Sequence, residues 1–330
     1  MNIHFFFRKP THFFSIEELF KEIQKQINKQ GIKTFGVIAP LHNKGIINRI
    51  RIIIHALKNK GDINHITGDI HFLGIFLPRK NTVLTIHDCG ALHNLKGIQK
   101  RILWFFWFYL PVKRLKYITT VSQETKNQLL GFVNVNPDKI RIIHNCLIDE
   151  YKVSKRLFDT RNPRILQIGV TKNKNLSRIL SALKSIRCTL IILGKPDASD
   201  LSLLKNSGVL FELHYDLSRR EVQNLYGSCD FLLFPSLLEG FGLPIIEAQA
   251  SGIPVLTSNI SSMPEISGDA ACMVNPYEIE EIRNGVLKII NNKSYREQLV
   301  VNGLKNCKRF SPEHIAGKYI ELYKNIEAVV

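Results

Sequence analysis

What most constrains this chain is an alternation of short apolar segments with amphipathic ones, run through twice. In the first half, strands are predicted at Ile3 to Phe7, Thr34 to Ile38, Ile63 to Ile66, Val83 to Ile86, Tyr117 to Val121 and Ile140 to Ile143. Helical spacing falls between them: after a Ser15/Glu18 capping box, from about Ile46, from about Ile98 and after Ser122. Short buried strands alternating with helices imply a parallel sheet covered on both faces.

Between about Ile148 and Pro163 the sequence turns polar and aperiodic, as a connection between domains does. The alternation then restarts with strands at Arg164 to Ile168, Thr189 to Leu193, Val209 to Leu213, Phe231 to Phe234 and Pro254 to Thr257. Helices are predicted from Asn175, after a Ser218/Glu221 capping box, from about Pro244, and over Glu313 to Ala328. The expected fold is α/β, with two Rossmann-like doubly wound lobes facing across a cleft. The lobes are read as 1–150 and 151–312, with a final helical segment at 313–330. Open α/β sheets bind ligands at the carboxyl ends of their strands, so the chemistry is sought there.

The densest signal runs from Phe231 to Glu247, a buried strand ending in a loop that opens a helix. Gly240 and Gly242 flank Phe241 where the backbone must turn, and both permit positive φ and close approach. The helix starting near Pro244 presents unpaired N–H groups and the positive end of its dipole, which suits a diphosphate. Glu247, one turn into that helix, can accept hydrogen bonds from vicinal hydroxyls such as those of a ribose. Glu239, on the loop, can reach a sugar beyond the phosphates. An isolated pair of glutamates would more often be solvated carboxylates at a helix end.

The surrounding residues argue otherwise. The Pro-Ser, the Glu-Gly-Phe-Gly-Leu-Pro and the second glutamate eight positions after the first resemble the retaining glycosyltransferases of the GT-B fold. The resemblance extends through Ala248 to Ser258, Met263 to Pro276 and the tail from Phe310 to Tyr323. It implies transfer of a glycosyl unit from a nucleotide diphosphate sugar to a hydroxyl with retained configuration. It also implies an N-terminal acceptor lobe, a C-terminal donor lobe and a last helix that crosses back to the first. Surface polysaccharide synthesis, with a glycan or lipid-linked acceptor, is the biological setting it suggests.

A second phosphate element follows the strand Arg164 to Ile168, with Gly169, Thr171, Lys172 and Asn175 around Lys174. In similar enzymes the lysine at the position of Lys174 neutralises the donor diphosphate. Val170 stands where many relatives have arginine, and Lys172 is the candidate replacement. In the first half, His87-Asp88 ends a strand, and the resemblance puts His87 beside donor sugar and acceptor. The expected catalytic set is therefore His87, Glu239 and Lys174. The donor set is Gly169, Thr171, Lys172, Asn175, Gly240, Phe241, Gly242, Leu243 and Glu247. No Asp-x-Asp motif occurs in a convincing context, so neither a metal nor another cofactor is expected besides the donor itself. His65 and His71, at the end of an earlier strand and after it, are left outside the catalytic set.

Charge adds a partner class. The chain's 330 residues carry 45 Lys and Arg against 28 Asp and Glu, a formal net charge of +17, which favours polyanions or an anionic membrane surface. From Lys96 to Lys116 both tryptophans sit among phenylalanines between basic clusters, a pairing typical of interfacial segments. A buried helix with a basic edge would read the same way. Membrane contact through 96–116 is the expectation, and no nucleic-acid module is recognised. The longest apolar run, Ile102 to Val112, is shorter than the roughly 20 residues that span a bilayer. The N-terminus lacks signal-peptide features. The six cysteines show no metal-binding or disulfide spacing. A cytoplasmic protein, peripheral on the inner membrane face, is expected. The rival classes are a sugar-nucleotide epimerase on the same fold and a non-catalytic binder of nucleotide sugars or polyanions.

Overall fold

A computed structural model describes residues 1–10 and 15–329, without the side chains of Ser15, His93 and Asn94. The serine of the Ser15/Glu18 capping box therefore lies outside the described side chains. The chain divides into two compact units, Met1–Ile148 with Ser311–Val330, and Asp149–Phe310. Each is built on a six-stranded sheet whose paired strands are all parallel. This is the GT-B architecture of two Rossmann-like lobes.

The first sheet contains β1 (Asn2–Phe7), β2 (Lys33–Ile38), β3 (Ile63–Ile66), β4 (Thr82–Ile86), β5 (Tyr117–Thr120) and β6 (Ile140–Ile142), ordered β2-β1-β3-β4-β5-β6. Its central strands are apolar toward both faces because both are covered. One face packs Phe6, Leu84 and Ile118 against Ile52 and Ala56 of helix Ile46–Lys58 and against Trp107 and Phe108. The other packs Phe5, Ile63 and Val83 against helix Ser15–Lys29 and the terminal helix Pro312–Glu327.

The terminal helix is held by polar contacts as well as apolar ones. His65 Nδ1 lies 2.6 Å from the Tyr323 hydroxyl and its Nε2 lies 2.7 Å from Thr85 Oγ1. Burial pushes the His65 pKa down to about 3, so the ring is neutral and joins the sheet to the helix.

The second sheet contains β7 (Arg164–Ile168), β8 (Thr189–Leu193), β9 (Leu210–His214), β10 (Phe231–Phe234), β11 (Val255–Ser258) and β12 (Cys272–Val274). The edge strand β12 and the helix Ala198–Asn206, opened by an Asp197/Asp200 capping box, go beyond the sequence reading. Three residues of β12 and a nine-residue helix are too short to generate a clear period.

The 96–116 segment is continuous rather than interrupted at Pro111. Helix Gly97–Leu103 runs into a π-helical turn, Trp104–Tyr109, and then Leu110–Arg114. The Leu110 N–H reaches back five residues to the Phe105 carbonyl, and Pro111 sits in the first turn that follows, where its missing N–H is tolerated. Among the described residues no helix is long and apolar enough to cross a membrane, and all six cysteines are buried free thiols.

Candidate functional site

The second sheet runs β12-β11-β10-β7-β8-β9, so its order reverses between β7 and β10. The chain leaves these neighbours in opposite directions, toward β8 and toward β11, which opens a crevice at their carboxyl ends. Both candidate phosphate elements issue from that point.

After β7 the backbone turns through Gly169 at φ +82°. A Cβ there would stand 3.0 Å from Lys174 Cε, and one on Gly194, after β8, would stand 3.3 Å from Gly169 Cα. The absence of side chains lets the two loops pack backbone to backbone and lets Lys174 fold across Gly169. The Lys174 ammonium then reaches Glu239 Oε1 at 2.6 Å and lies 4.5 Å from the centre of the Phe234 ring. Both partners of this ion pair are largely shielded, with side chains 16% and 14% exposed.

The two loops are laced together. The Leu237 N–H donates to the Asn173 carbonyl at 2.7 Å, and Asn173 Nδ2 donates to the Leu238 carbonyl at 2.9 Å. Thr171 Oγ1 donates to Asn173 Oδ1 at 2.7 Å, while Thr171 and Lys172 themselves stand exposed on the loop. Val170 packs against the core of the unit, so it offers no charge.

Asn175 takes the left-handed conformation, φ 63°, and caps helix Leu176–Leu183. Its Nδ2 donates to the carbonyls of Pro235 and Pro276, and its Oδ1 accepts from Arg178. That side chain is buried and forms a joint that fixes the loops.

After β10, Ser261 Oγ pairs with both the N–H and the carbonyl of Glu239, at 3.1 and 3.0 Å. Ser262 Oγ lies 2.8 Å from the Phe241 carbonyl. The Phe241 ring is buried edge-on against Phe310 and anchors the loop. Gly242, at φ 101°, caps helix Leu243–Ala250, with Pro244 in the first turn. The first-turn N–H groups of a helix have no acceptors within it, and its dipole favours an anion there.

Glu247 lies on that helix, and its Oε2 accepts from the Tyr226 hydroxyl at 2.6 Å. Burial raises its pKa above the ordinary value, while hydrogen bonds from Tyr226 and Tyr151 pull it back. The two tyrosine rings meet edge to face at 5.6 Å. A carboxylate held this way retains lone pairs for further hydroxyl donors.

In the first unit, His87 follows β4. A carbonyl only accepts, so the 3.0 Å contact between His87 Nε2 and the Thr67 carbonyl puts the ring hydrogen on Nε2. Burial lowers its pKa to about 4, so the ring is neutral. Asp88 is exposed and accepts the Gly90 N–H at 2.8 Å. His71 is buried against the Trp107 carbonyl and, like His65, is part of the packing.

The family model described as glycosyl transferases group 1 matches residues 149–306, and that described as glycosyltransferase family 4 matches residues 4–150. The O-antigen chain mannosyltransferase B of Escherichia coli is 39% identical over 292 residues, spanning 77% of this chain and 73% of that protein. The chain belongs to the group 1 glycosyltransferases. The O-antigen chain mannosyltransferase RfbU of Salmonella typhimurium strain LT2 is 28% identical over 222 residues, covering 64% of this chain and about three fifths (61%) of that relative. Two solved structures share the fold at 15% identity. They are Anabaena HepE in complex with UDP and glucose, with TM-score 0.78, 98% of this chain covered and 100% of that one, and WaaG, described as a glycosyltransferase involved in lipopolysaccharide biosynthesis, with TM-score 0.73 and coverages of 98% and 99%.

Several residues at this glycosyltransferase's candidate site escaped the sequence reading. Tyr226 and Tyr151 hold Glu247, Asn173 ties the loops, Phe234 lies beneath the Lys174 ammonium, and Ser261 and Ser262 brace the Glu239 loop. Only Phe234 and Asn173 stood within motifs already singled out. The others come from remote helices and turns with no chemical spacing of their own.

Proposed function

We propose that the protein transfers a glycosyl unit from a nucleotide diphosphate sugar to a hydroxyl of a glycan or lipid-linked saccharide, with retained anomeric configuration. The observation that carries this reading is the Lys174–Glu239 pair at the reversal point between β7 and β10, beside two helix N-termini. A cation and aligned N–H groups stabilise the charge that develops on a departing diphosphate. Lys174 takes that role, aided by exposed Lys172 and by the main chain from Gly240 to Leu243. Glu247 accepts the ribose hydroxyls, and Glu239 positions the donor sugar. Lys174 approaches the diphosphate only when its bond to Glu239 loosens, which frees that carboxylate for sugar hydroxyls.

His87 is assigned to a sugar hydroxyl through Nδ1, the ring nitrogen not used on Thr67. Lys174 and Lys172 supply the charge compensation a divalent ion would otherwise give, and the reaction is proposed to be metal-independent. The Escherichia coli and Salmonella relatives make mannose nucleotides the first donors to try and surface polysaccharide the setting to test. In the 96–116 segment, Ile98, Ile102, Phe105 and Phe106 are exposed beside Lys96 and Arg101, which supports contact with an anionic membrane at the inner, cytoplasmic face.

The test is incubation with a panel of nucleotide sugars, with and without saccharide acceptors and in chelator, beside Glu247→Ala. Release of nucleotide from one donor by the parent alone supports the reading. An altered nucleotide sugar formed without acceptor identifies an epimerase instead, and absence of binding across the panel removes the catalytic reading.

A further inference from the structure

Between the flank of helix Ser15–Lys29 and the carboxyl ends of β1 and β2 lies a cavity of about 370 Å³. Phe7 and Ile38, the last residues of those strands and register partners in the sheet, form its apolar wall. Its floor is Gly36, where a Cβ would stand 3.4 Å from the Phe7 ring and 3.9 Å from Gln24 Oε1, so the missing side chain leaves room for a ligand. From the helix, Glu17, Lys21 and Gln24 line it on one stripe of successive turns, with Glu18 beside them.

One group in this cavity lacks a partner. Glu17 is 4% exposed, and Arg8 Nε donates to its Oε1 at 2.6 Å. Its Oε2 is buried and accepts no hydrogen bond among the described residues. A buried carboxylate oxygen left unpaired is costly and marks a place for a donor that the protein does not itself provide.

The charge of the lining narrows the choice of donor. In a chain of net charge +17, this cavity is lined by two carboxylates and one ammonium, and the Lys21 ammonium is paired with Glu18 at 3.0 Å. A phosphate or an acidic sugar would meet repulsion there. What fits is an uncharged molecule with hydroxyl donors for Glu17 and an apolar face for Phe7 and Ile38, and a saccharide ring presents both. The volume lies within the range of small-molecule sites. The cavity is at the same end of the sheet as His87, which follows β4. Phe20, three residues along the helix from Glu17, meets the His87 ring edge to face at 5.8 Å, and the Glu17 carboxylate is close enough to act on the charge of that ring.

We propose that this cavity binds an uncharged sugar residue of the acceptor, with Glu17 Oε2 receiving one of its hydroxyls, and so selects neutral over anionic saccharides. This deepens the transferase reading, on which the ligand's role as acceptor rests, and adds a recognition residue apart from His87.

Saturation-transfer NMR on the full-length protein, without donor, would be run with neutral methyl glycosides and disaccharides built on mannose, glucose and galactose, beside methyl glucuronide and inorganic phosphate. The variants are Glu17→Gln, which turns the carboxylate into an amide of the same shape, and Gly36→Val, which fills the floor without touching a charge. Thermal melting checks that each is folded, and Gly36→Val decides alone where Glu17→Gln is not. The expected result is binding of at least one neutral saccharide and of neither anion, with Kd raised at least about tenfold in both variants. Parent-like binding by either folded variant overturns the proposal, as does binding of the anions equal to that of the neutral saccharides. Absence of saccharide binding across the panel would leave Glu17 bonded to water and overturn it as well. Because no donor is present, a parent that binds saccharides in this cavity but never transfers a sugar would sink the transferase reading and leave a saccharide site standing.

Discussion

Lys174 and Glu239, 65 residues apart in sequence, meet at 2.6 Å across the two loops that leave β7 and β10. Because the pair is shielded, removing one partner leaves a poorly solvated charge, whereas removing both does not. Lys174→Met is expected to lower donor turnover by about 100-fold and to destabilise its unit by about 3 kcal/mol. Lys174→Met/Glu239→Gln is expected to recover most of that stability and none of the turnover. Urea unfolding beside steady-state kinetics separates the two effects. Recovery of turnover in the double variant would mean that the lysine serves structure alone.

Gly169 provides a test without touching a charged group. Alanine at φ +82° is strained by roughly 1–2 kcal/mol, and its Cβ would press on the aliphatic chain of Lys174 at 3.0 to 3.4 Å. The lysine must shift to accommodate it. Gly169→Ala is expected to lower kcat by about tenfold with a smaller change in donor KM. Wild-type kcat in a less stable protein would show that the ammonium can reach its working position by another route.

The order in which strands alternate with helices was legible because each central strand is a short run in which apolar residues predominate, flanked by helical periods. Gly240, Gly242 and Glu247 were legible because their conformational and chemical demands fall within one continuous stretch. The reversal between β7 and β10 was not, since strand order is set by long-range pairing that leaves no local pattern. Asn175 illustrates the other gap: its bonds to the carbonyls of Pro235 and Pro276, 60 and 101 residues away, leave no trace in the local sequence.

Glu247 gives the site a pH dependence with a definite sign. Burial raises its pKa above the ordinary carboxylate value, so the folded protein favours its protonated form more than the unfolded chain does. Its contribution to stability is therefore greatest below the unfolded value and is lost as pH rises through the folded one. Recognition of hydroxyl donors runs the other way, because the ionised carboxylate is the better acceptor. Donor KM is expected to rise as pH falls through that pKa. Tyr226→Phe removes a hydrogen bond that holds the pKa down, so the acid limb should move to higher pH and KM should rise about fivefold at neutral pH. Glu247→Gln should abolish the limb. An unchanged profile in both variants would separate Glu247 from donor binding.

The same reasoning gives the first unit an acid limit, set by His65, His71 and His87. Burial holds their pKa values at about 3, about 4 and about 4 against an ordinary value of 6.5. All three bind fewer protons folded than unfolded, so their contribution is fully present above pH 6.5 and declines as pH falls. Between pH 6 and about pH 4 each costs roughly 1.4 kcal/mol per pH unit, and His65 continues to do so until about pH 3. The strain should appear first where His65 meets Tyr323 and Thr85, loosening helix Pro312–Glu327 from the sheet. Hydrogen exchange at pH 7 and pH 5 is expected to show amides of that helix losing protection more than those of helix Leu243–Ala250, whose unit holds no comparably buried histidine among the described residues. His65→Gln should be less stable at pH 7 yet show a shallower loss toward pH 5. An equal slope in the variant would place the acid sensitivity elsewhere.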